Sequence, residues 1–156
     1  MADTLPPSFA LPPAFENWFA GRNWAPRPHQ LTLTERALEG QSALLIAPTG
    51  GGKTLSGFLA SLIELSDKAK RNSNRPALHT LYISPLKALA VDVARNLMTP
   101  AEEMGLDIKI EPRPGDTPTH KRPRQRKTPP DILLTPPVQL ALLTPSHHAA
   151  QFLSDL

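Results

Sequence analysis

Residues 47–54 have the composition of a loop that holds phosphate groups. They read Ala-Pro-Thr-Gly-Gly-Gly-Lys-Thr, and the first of them, Ala47, is the last residue of an apolar run that begins at residue 42. Glycines adopt positive φ without steric cost, so successive backbone N–H groups can point into one concavity. The ammonium group of Lys53 would reach the β- and γ-phosphates of a nucleotide, and the hydroxyl of Thr54 would ligate Mg²⁺. We therefore predict a nucleoside triphosphate site formed by Thr49, Gly50, Gly51, Gly52, Lys53 and Thr54.

The alternative for this segment is a flexible glycine turn without a ligand. Ala47 stands where the common pattern has its first glycine, which leaves the form Ala-x-x-Gly-x-Gly-Lys-Thr. The apolar run before the loop and the amphipathic pattern after it nevertheless agree with a strand, a phosphate loop and a helix in that order. This agreement favours the phosphate-binding interpretation.

Gln30 closes a second motif, Pro-Arg-Pro-His-Gln, at residues 26–30. Its amide offers one donor and one acceptor in the order that matches N6 and N7 of adenine. Trp24 or Phe19 could stack on the same base. The alternative is a glutamine at a helix start with no ligand, but the phosphate loop that follows favours adenine, and hence ATP.

Composition limits the other classes of function. The chain has 17 Lys and Arg against 14 Asp and Glu, a net charge of +3, and no cysteine. A disulfide scaffold is therefore excluded, and the absence of cysteine fits a cytoplasmic location. No apolar run is long enough to span a membrane, and no leader opens the chain. Nucleic acid is a reasonable partner for the unevenly placed positive charge.

The pattern of strands and helices predicts an α/β fold. Residues 1–13 are rich in proline and form an extended lead-in, whereas 14–156 alternate between strand and helix patterns. This alternation predicts a parallel sheet with helices on both faces. Strands are expected at 42–47, 78–84, 106–110 and 131–134; helices are expected at 13–20, 29–38, after the phosphate loop, from residue 85, at 138–143, and once within 113–130.

Two segments could contact nucleic acid. In 84–89, Ser84 can cap a helix that Pro85 begins, but the same helix start could hold a backbone phosphate while Lys87 neutralises its charge. The stretch 113–127 carries the main basic cluster, which is either a solvated face or a surface that contacts phosphates. Ligands of parallel sheets bind at the carboxyl ends of the strands, where both segments are expected.

The sequence lacks one part of a complete triphosphatase. Such an enzyme needs a carboxylate at the end of a later apolar strand to hold Mg²⁺ and orient the attacking water. Asp107 and Asp131 precede their predicted strands, and Asp155 follows the mixed run 151–154. The fold is therefore expected to be an incomplete P-loop NTPase domain.

Four motifs in this order, at 26–30, 47–54, 82–92 and 129–143, resemble those of a known family. From about Leu11 to its last residue, the chain resembles the start of a ligase-associated DEXH-box helicase, a bacterial branch of the large helicase-related group in superfamily two. The resemblance implies a RecA-like first domain and ATP-driven movement along single-stranded or partly duplex DNA. It also implies a role in DNA repair, with DNA ligase and a repair nuclease as partners, in the bacterial cytoplasm and on the nucleoid when DNA is bound.

The resemblance also assigns roles to residues. Gln30 matches the adenine-reading glutamine, and 49–54 match the phosphate loop. The positions that match strand-contacting residues are Pro85, Lys87, Gly115, Asp116 and Thr117.

The chain departs from the family pattern in several places. Pro114 stands where a threonine is usual, and Val138 stands where a glutamate is usual. The Asp-Glu-x-His segment is expected just past Leu156, and the second RecA-like domain with its arginine finger is expected beyond it. We therefore expect weak ATP binding and little or no turnover by this chain alone.

Two other functions stay open at the level of sequence. The chain could be a non-catalytic remnant that binds nucleic acid with a salt-dependent affinity unaffected by nucleotide. It could also be another P-loop triphosphatase, such as a small-molecule kinase. Gln30 and the segment 85–89 argue against a kinase, which needs neither.

Overall fold

A computed structural model describes residues 9–67, 77–85, 87–113, 121–145, 149–154 and 156. Its contacts divide the chain into two compact units, Met1–Glu64 and Leu65–Leu156. Three of the predicted strand-contacting residues, Gly115, Asp116 and Thr117, lie outside the described residues, as do the first eight residues of the proline-rich lead-in.

The first unit contains two complete helices and most of a third. These are α1 (Pro13–Gly21), α2 (Pro28–Leu38) and α3 (Lys53–Ser66), the last of which ends in the second unit. Both α1 and α2 begin with proline, which is favourable there because the first helical N–H groups have no partner within the helix. All three confirm the helices expected in this part of the chain.

Aromatic and apolar side chains hold these helices in place. Phe15 and Phe19 of α1 are buried, and the guanidinium carbon of Arg22 lies 5.1 Å from the ring centroids of both Trp18 and Trp24. Arginine over an indole face is an attractive electrostatic contact. The predicted stripe on α3 is buried at Phe58, Leu59 and Leu62 and half-buried at its two ends.

The strand predicted at 42–47 is wrong. These residues form no strand, and Leu44 and Ile46 are 85% and 87% exposed. An apolar run favours burial, but a strand also needs a neighbour whose backbone groups pair with its own. In the described ranges, the paired strands are three other segments, so this run stays extended without a partner strand.

The second unit is built on a three-stranded parallel sheet. Its strands are β1 (Thr80–Ile83), β2 (Ile110–Pro112) and β3 (Ile132–Thr135), in the order β1-β3-β2. All four residues of β3 are buried, as expected for the central strand of a parallel sheet. The predicted parallel sheet is therefore confirmed, with β1 and β3 close to their expected positions.

The third predicted strand is displaced toward its carboxyl end. Residues 106–109 are irregular, and pairing begins only at Ile110, which lies opposite Ile132. Residues 106–109 precede the register shared with β3, although the Lys109 carbonyl already accepts the Ile132 N–H at 3.0 Å. The Lys109 N–H donates to a carboxylate oxygen of Asp131 at 2.7 Å.

Among its described residues, the second unit contains the helices α4 (Lys87–Glu103), α5 (Lys121–Lys127), α6 (Pro137–Leu143) and α7 (Ala149–Phe152). The short helix expected within 113–130 is thus α5, while α7 was not expected. Leu78, Leu133, Leu143 and Phe152 form one buried cluster. No helix in the described parts of the chain is long and apolar enough to cross a membrane.

The exposure of residues 42–47 can be tested by replacing Leu44 and Ile46 together with serine. Because both side chains are solvent-exposed, we expect the free energy of unfolding to change by no more than about 0.5 kcal/mol. The matched control is Leu133→Ala in β3, which should lower that free energy by about 2–5 kcal/mol because Leu133 is fully buried. Urea unfolding measures both. If the double replacement of Leu44 and Ile46 lowers the free energy of unfolding as much as Leu133→Ala does, the segment is buried and the exposure is wrong.

Candidate functional site

The predicted phosphate loop forms a tight turn that leads directly into α3. Gly50 and Gly52 have φ of 77° and 73°, and the Gly51 N–H donates to the Pro48 carbonyl at 3.0 Å. α3 begins at Lys53, so its first N–H groups, which have no partner within the helix, adjoin the turn. This is the backbone arrangement of an anion-binding loop.

The crowding around two glycines shows how closely the backbone is packed here. A Cβ at Gly51 would lie 2.8 Å from the Pro48 carbonyl oxygen, and a Cβ at Gly52 would lie 2.7 Å from Nε2 of Gln30. Larger residues would force the loop open, and at Gly52 they would also be strained by the positive φ. The residues present therefore fit the phosphate chain of a nucleotide.

The two side chains predicted to act on phosphate and metal both lie at the start of α3. Lys53 is exposed, and its ammonium group donates to the carbonyls of Ala47 and Pro48 at 2.7 and 3.0 Å. Thr54 and Thr49 are also exposed. Lys53 is thus held against the loop by contacts that a phosphate oxygen can replace.

Gln30 is buried against the phosphate loop. Its side chain is 4% exposed; Oε1 accepts the Arg27 N–H at 2.8 Å, and Nε2 donates to the Gly52 carbonyl at 3.4 Å. A primary amide has two N–H donors and two acceptor lone pairs, so one of each remains. The structure thus brings Gln30 to the loop; its contact with adenine stays a prediction.

Sequence reasoning missed the role of His29. Its Nε2 lies 2.8 Å from the Gly51 carbonyl, and because a carbonyl can only accept, this nitrogen carries the proton. Two consecutive residues of α2, His29 and Gln30, therefore bind two consecutive carbonyls of the loop. The proximity of the two motifs in sequence could have suggested this contact, but not its atoms.

A cavity of about 280 Å³ lies beside the start of α2. Trp24, which is 54% exposed, and Phe19, which is buried, both line it, together with Pro26 and Leu31. The walls are mainly apolar, with Glu16 as the charged residue among them. Both residues predicted to stack on a base thus line one cavity; the stacking itself stays a prediction.

The second unit brings three strand ends together at one edge of its sheet. The Ser84 N–H donates to the Thr135 carbonyl at 3.2 Å, and the Arg113 N–H donates to the Leu134 carbonyl at 2.7 Å. The Thr135 hydroxyl in turn donates to the Arg113 carbonyl at 3.3 Å. The ends of β1, β2 and β3 therefore meet at one edge of the sheet. This confirms the position predicted for the segments after Ser84 and Thr135, whereas Ala47, which was predicted to leave from the same edge, follows no strand.

Two predicted strand-contacting residues can be placed at this edge. Pro85 is exposed directly after Ser84, and Lys87 is the first residue of α4. Within the described ranges, no group of three His, Cys, Asp or Glu residues could hold a metal ion, so the structure itself shows no metal centre.

Comparison with known proteins identifies the family. The sequence model of the DEAD/DEAH box helicases matches residues 27–156. The chain belongs to this family. It is 44% identical over 139 residues to an Lhr helicase and probable uracil glycosylase of Mycolicibacterium smegmatis, covering 83% of this chain. It is 36% identical over 151 residues to the ATP-dependent helicase Lhr-Core of Methanocaldococcus jannaschii, covering 90% of this chain.

Solved structures agree with this assignment. The helicase Lhr of Mycobacterium smegmatis bound to ssDNA and AMP-PNP matches 97% of the chain with a TM-score of 0.79 and 38% identity. The helicase MrfA bound to DNA and AMPPNP matches 99% with a TM-score of 0.74 and 26% identity. The chain spans 20% of each of these two structures and 9% and 18% of the two curated relatives.

The comparisons confirm the resemblance to a DEXH-box helicase and the RecA-like fold. Of the two curated relatives described above, Lhr-Core is an ATP-dependent helicase. The DNA repair role and the ligase and nuclease partners stay predictions.

The requirement for glycine at residue 52 gives a direct test of the loop geometry. Gly52→Ala should lower the free energy of unfolding by about 1–2 kcal/mol, because φ is positive and the new Cβ would meet Gln30. Gly57→Ala is the matched control: this glycine lies within α3 with no atom near its Cβ, so the change should stabilise the chain by about 0.5–1 kcal/mol. Urea unfolding would contradict the geometry if both variants shifted in the same direction.

Proposed function

We propose that this chain is the ATP-binding, strand-contacting part of an ATP-dependent DNA helicase that acts in DNA repair. The observation that carries the proposal is the glycine turn at the start of α3, with Lys53 held against its carbonyls. Family membership supports helicase activity for the whole protein of which this sequence is part.

The loop would bind the phosphates through its backbone. N–H groups of the turn and of the first residues of α3 would donate to phosphate oxygens, and the positive end of the helix dipole adds to the attraction. Lys53 would exchange its carbonyl contacts for the β- and γ-phosphates. Mg²⁺, which neutralises phosphate charge when it is bound, would take the hydroxyl of Thr54 as a ligand.

The base would bind on the α2 side of the loop. The cavity beside Trp24 would receive the adenine ring, and the remaining donor and acceptor of Gln30 would pair with its edge. Since His29 and Gln30 both donate to loop carbonyls, α2 joins the base end of the site to its phosphate end. Binding at one end would therefore affect the geometry at the other.

DNA would contact the carboxyl edge of the sheet. Pro85 and Lys87 follow β1 there, and Gly115, Asp116 and Thr117 are proposed to contribute by their match to the family motifs. The relatives solved with ssDNA or DNA together with a nucleotide analogue support a site for each ligand in this part of the enzyme. Single-stranded or partly duplex DNA is the proposed substrate.

The cellular role is proposed from family alone. DNA ligase and a repair nuclease are the proposed partners, and the cytoplasm, on the nucleoid when DNA is bound, is the proposed location. Co-purification of the ligase with the chain, insensitive to nuclease treatment, would support the partnership, and loss of the ligase after that treatment would contradict it.

Replacement of Lys53 by alanine tests the phosphate site. We expect at least a tenfold loss of affinity for AMP-PNP, because the cation that faces the phosphates is removed. Lys109→Ala, which removes an exposed cation of the second unit, is the control and should leave the affinity unchanged. Calorimetric titration measures both, and an unchanged affinity in Lys53→Ala would refute the loop assignment.

Replacement of Gln30 tests base recognition separately from phosphate binding. Gln30→Ala should lower the preference for ATP over GTP by about tenfold, because the amide that matches the adenine edge is lost. His29→Ala removes a neighbouring loop contact without removing that amide. It should therefore lower the affinities for ATP and GTP by the same factor and leave the ratio of the two affinities unchanged. Competition titrations give the ratio; an unchanged ratio in Gln30→Ala would mean that Gln30 only supports the loop.

A further inference from the structure

The high positive charge of helix α5 disfavours its formation as an isolated helix. Its sequence is Lys-Arg-Pro-Arg-Gln-Arg-Lys, so five of its seven residues are cationic. Like charges three and four residues apart repel each other along a helix, and a helix this short is marginal in water. Pro123 is tolerated because it lies in the first turn, but it adds no backbone donor. The helix therefore needs an anchor from elsewhere in the fold.

Glu111 in β2 supplies that anchor. Its two carboxylate oxygens accept from Nη2 of Arg124 at 2.6 and 2.8 Å, and one of them also accepts from Nε2 of Gln125 at 2.8 Å. Gln125 is 2% exposed, and Glu111 is 24% exposed at its side chain. One carboxylate thus binds two consecutive residues of α5, one charged and one buried.

The anchor lies beside the edge of the sheet where DNA is proposed to bind. Glu111 pairs in register with Leu133 of β3 and is followed by Pro112, the last residue of β2. Arg113, whose N–H is bonded to β3, begins the segment that leaves that edge. Glu111 therefore fixes α5 next to the strand ends rather than elsewhere on the unit.

We propose that Glu111 is a positioning residue that presents the basic helix α5 to the phosphates of DNA. The inference rests on the proposed function, since it assumes that the basic stretch contacts DNA. Arg124 is partly neutralised by Glu111, whereas Lys127 is exposed with its charge available to a phosphate. Glu111 would thus favour DNA binding by fixing the position of the basic helix α5, although its own charge is negative.

The positioning role of Glu111 predicts a change in DNA affinity opposite to the one expected from charge alone. Removing a carboxylate from the neighbourhood of DNA should strengthen binding if only the electrostatic field matters. If Glu111 orders α5, its removal should weaken binding, because the helix loses its anchor and its cations lose their fixed positions. The two mechanisms therefore predict opposite changes in one measurable affinity.

The experiment measures binding of the full chain to a fluorescent single-stranded oligonucleotide by anisotropy, across a series of salt concentrations. We expect Glu111→Ala to bind about three- to tenfold more weakly at low salt, with a shallower dependence on salt because fewer phosphates are contacted. Glu102→Ala removes an exposed carboxylate of α4 in the same unit and is the matched control. It should bind as tightly as the unmodified chain or slightly more tightly.

Two further variants separate positioning from a general loss of folding. Glu111→Gln keeps an acceptor for Gln125 and removes only the charge, so it should fold normally and show an intermediate loss of affinity. Glu111→Ala is also introduced into a chain that already carries Arg124→Ala. There, the fold-loss of DNA affinity should be at least three times smaller than in the unmodified chain, because the two side chains act as a pair. Thermal unfolding followed by circular dichroism checks that each variant is folded.

The outcomes distinguish this inference from the proposed function. If the unmodified chain does not bind DNA, both are overturned. If it binds DNA but Lys127→Ala changes neither affinity nor salt dependence, only the positioning role is overturned. If the unmodified chain and Lys127→Ala behave as expected but folded Glu111→Ala or Glu111→Gln binds as tightly as Glu102→Ala or more tightly, only the positioning role is overturned.

Discussion

The conformation of the glycine turn depends on the hydrogen bonds that α2 donates to it. The side chains of His29 and Gln30 bind the carbonyls of Gly51 and Gly52 and so hold two consecutive residues of the turn. The positive φ of Gly52 favours a residue without a Cβ, and a Cβ there would also lie 2.7 Å from Nε2 of Gln30. The loop is thus shaped by side chains of a preceding helix as well as by its own glycines.

In the second unit, backbone hydrogen bonds just beyond the strand ends fix the segments that leave the sheet. Each neighbour of the central strand β3 is held to it by one further backbone bond past the strand end, at Ser84 and at Arg113. Because the strands are parallel, these bonds place three departing segments at a single edge. Residues far apart in sequence therefore become candidates for one binding surface without any side chain having to reach across the sheet.

The sequence predicted the elements whose signal is local. Helices α1, α2 and α6 lie within one residue of their expected first residues, and the strand expected at 131–134 is β3, displaced by one residue. The apolar run at 42–47 gave a wrong prediction, since periodicity reports a preference for burial but not the presence of a neighbour. The Glu111 anchor was not foreseen either, because one glutamate in a short strand gives no sign of a partner 13 residues away.

The unpaired run 42–47 also changes the way the phosphate loop is held. A paired strand would fix the Ala47 carbonyl through its ladder, but here that carbonyl accepts from Lys53, six residues further along. The ammonium group of Lys53 therefore closes the loop on itself. It has three donors, two of which are engaged by the carbonyls of Ala47 and Pro48. Binding a triphosphate would draw Lys53 away from at least one carbonyl, so part of the attraction to phosphate is offset by the loop contact that is given up.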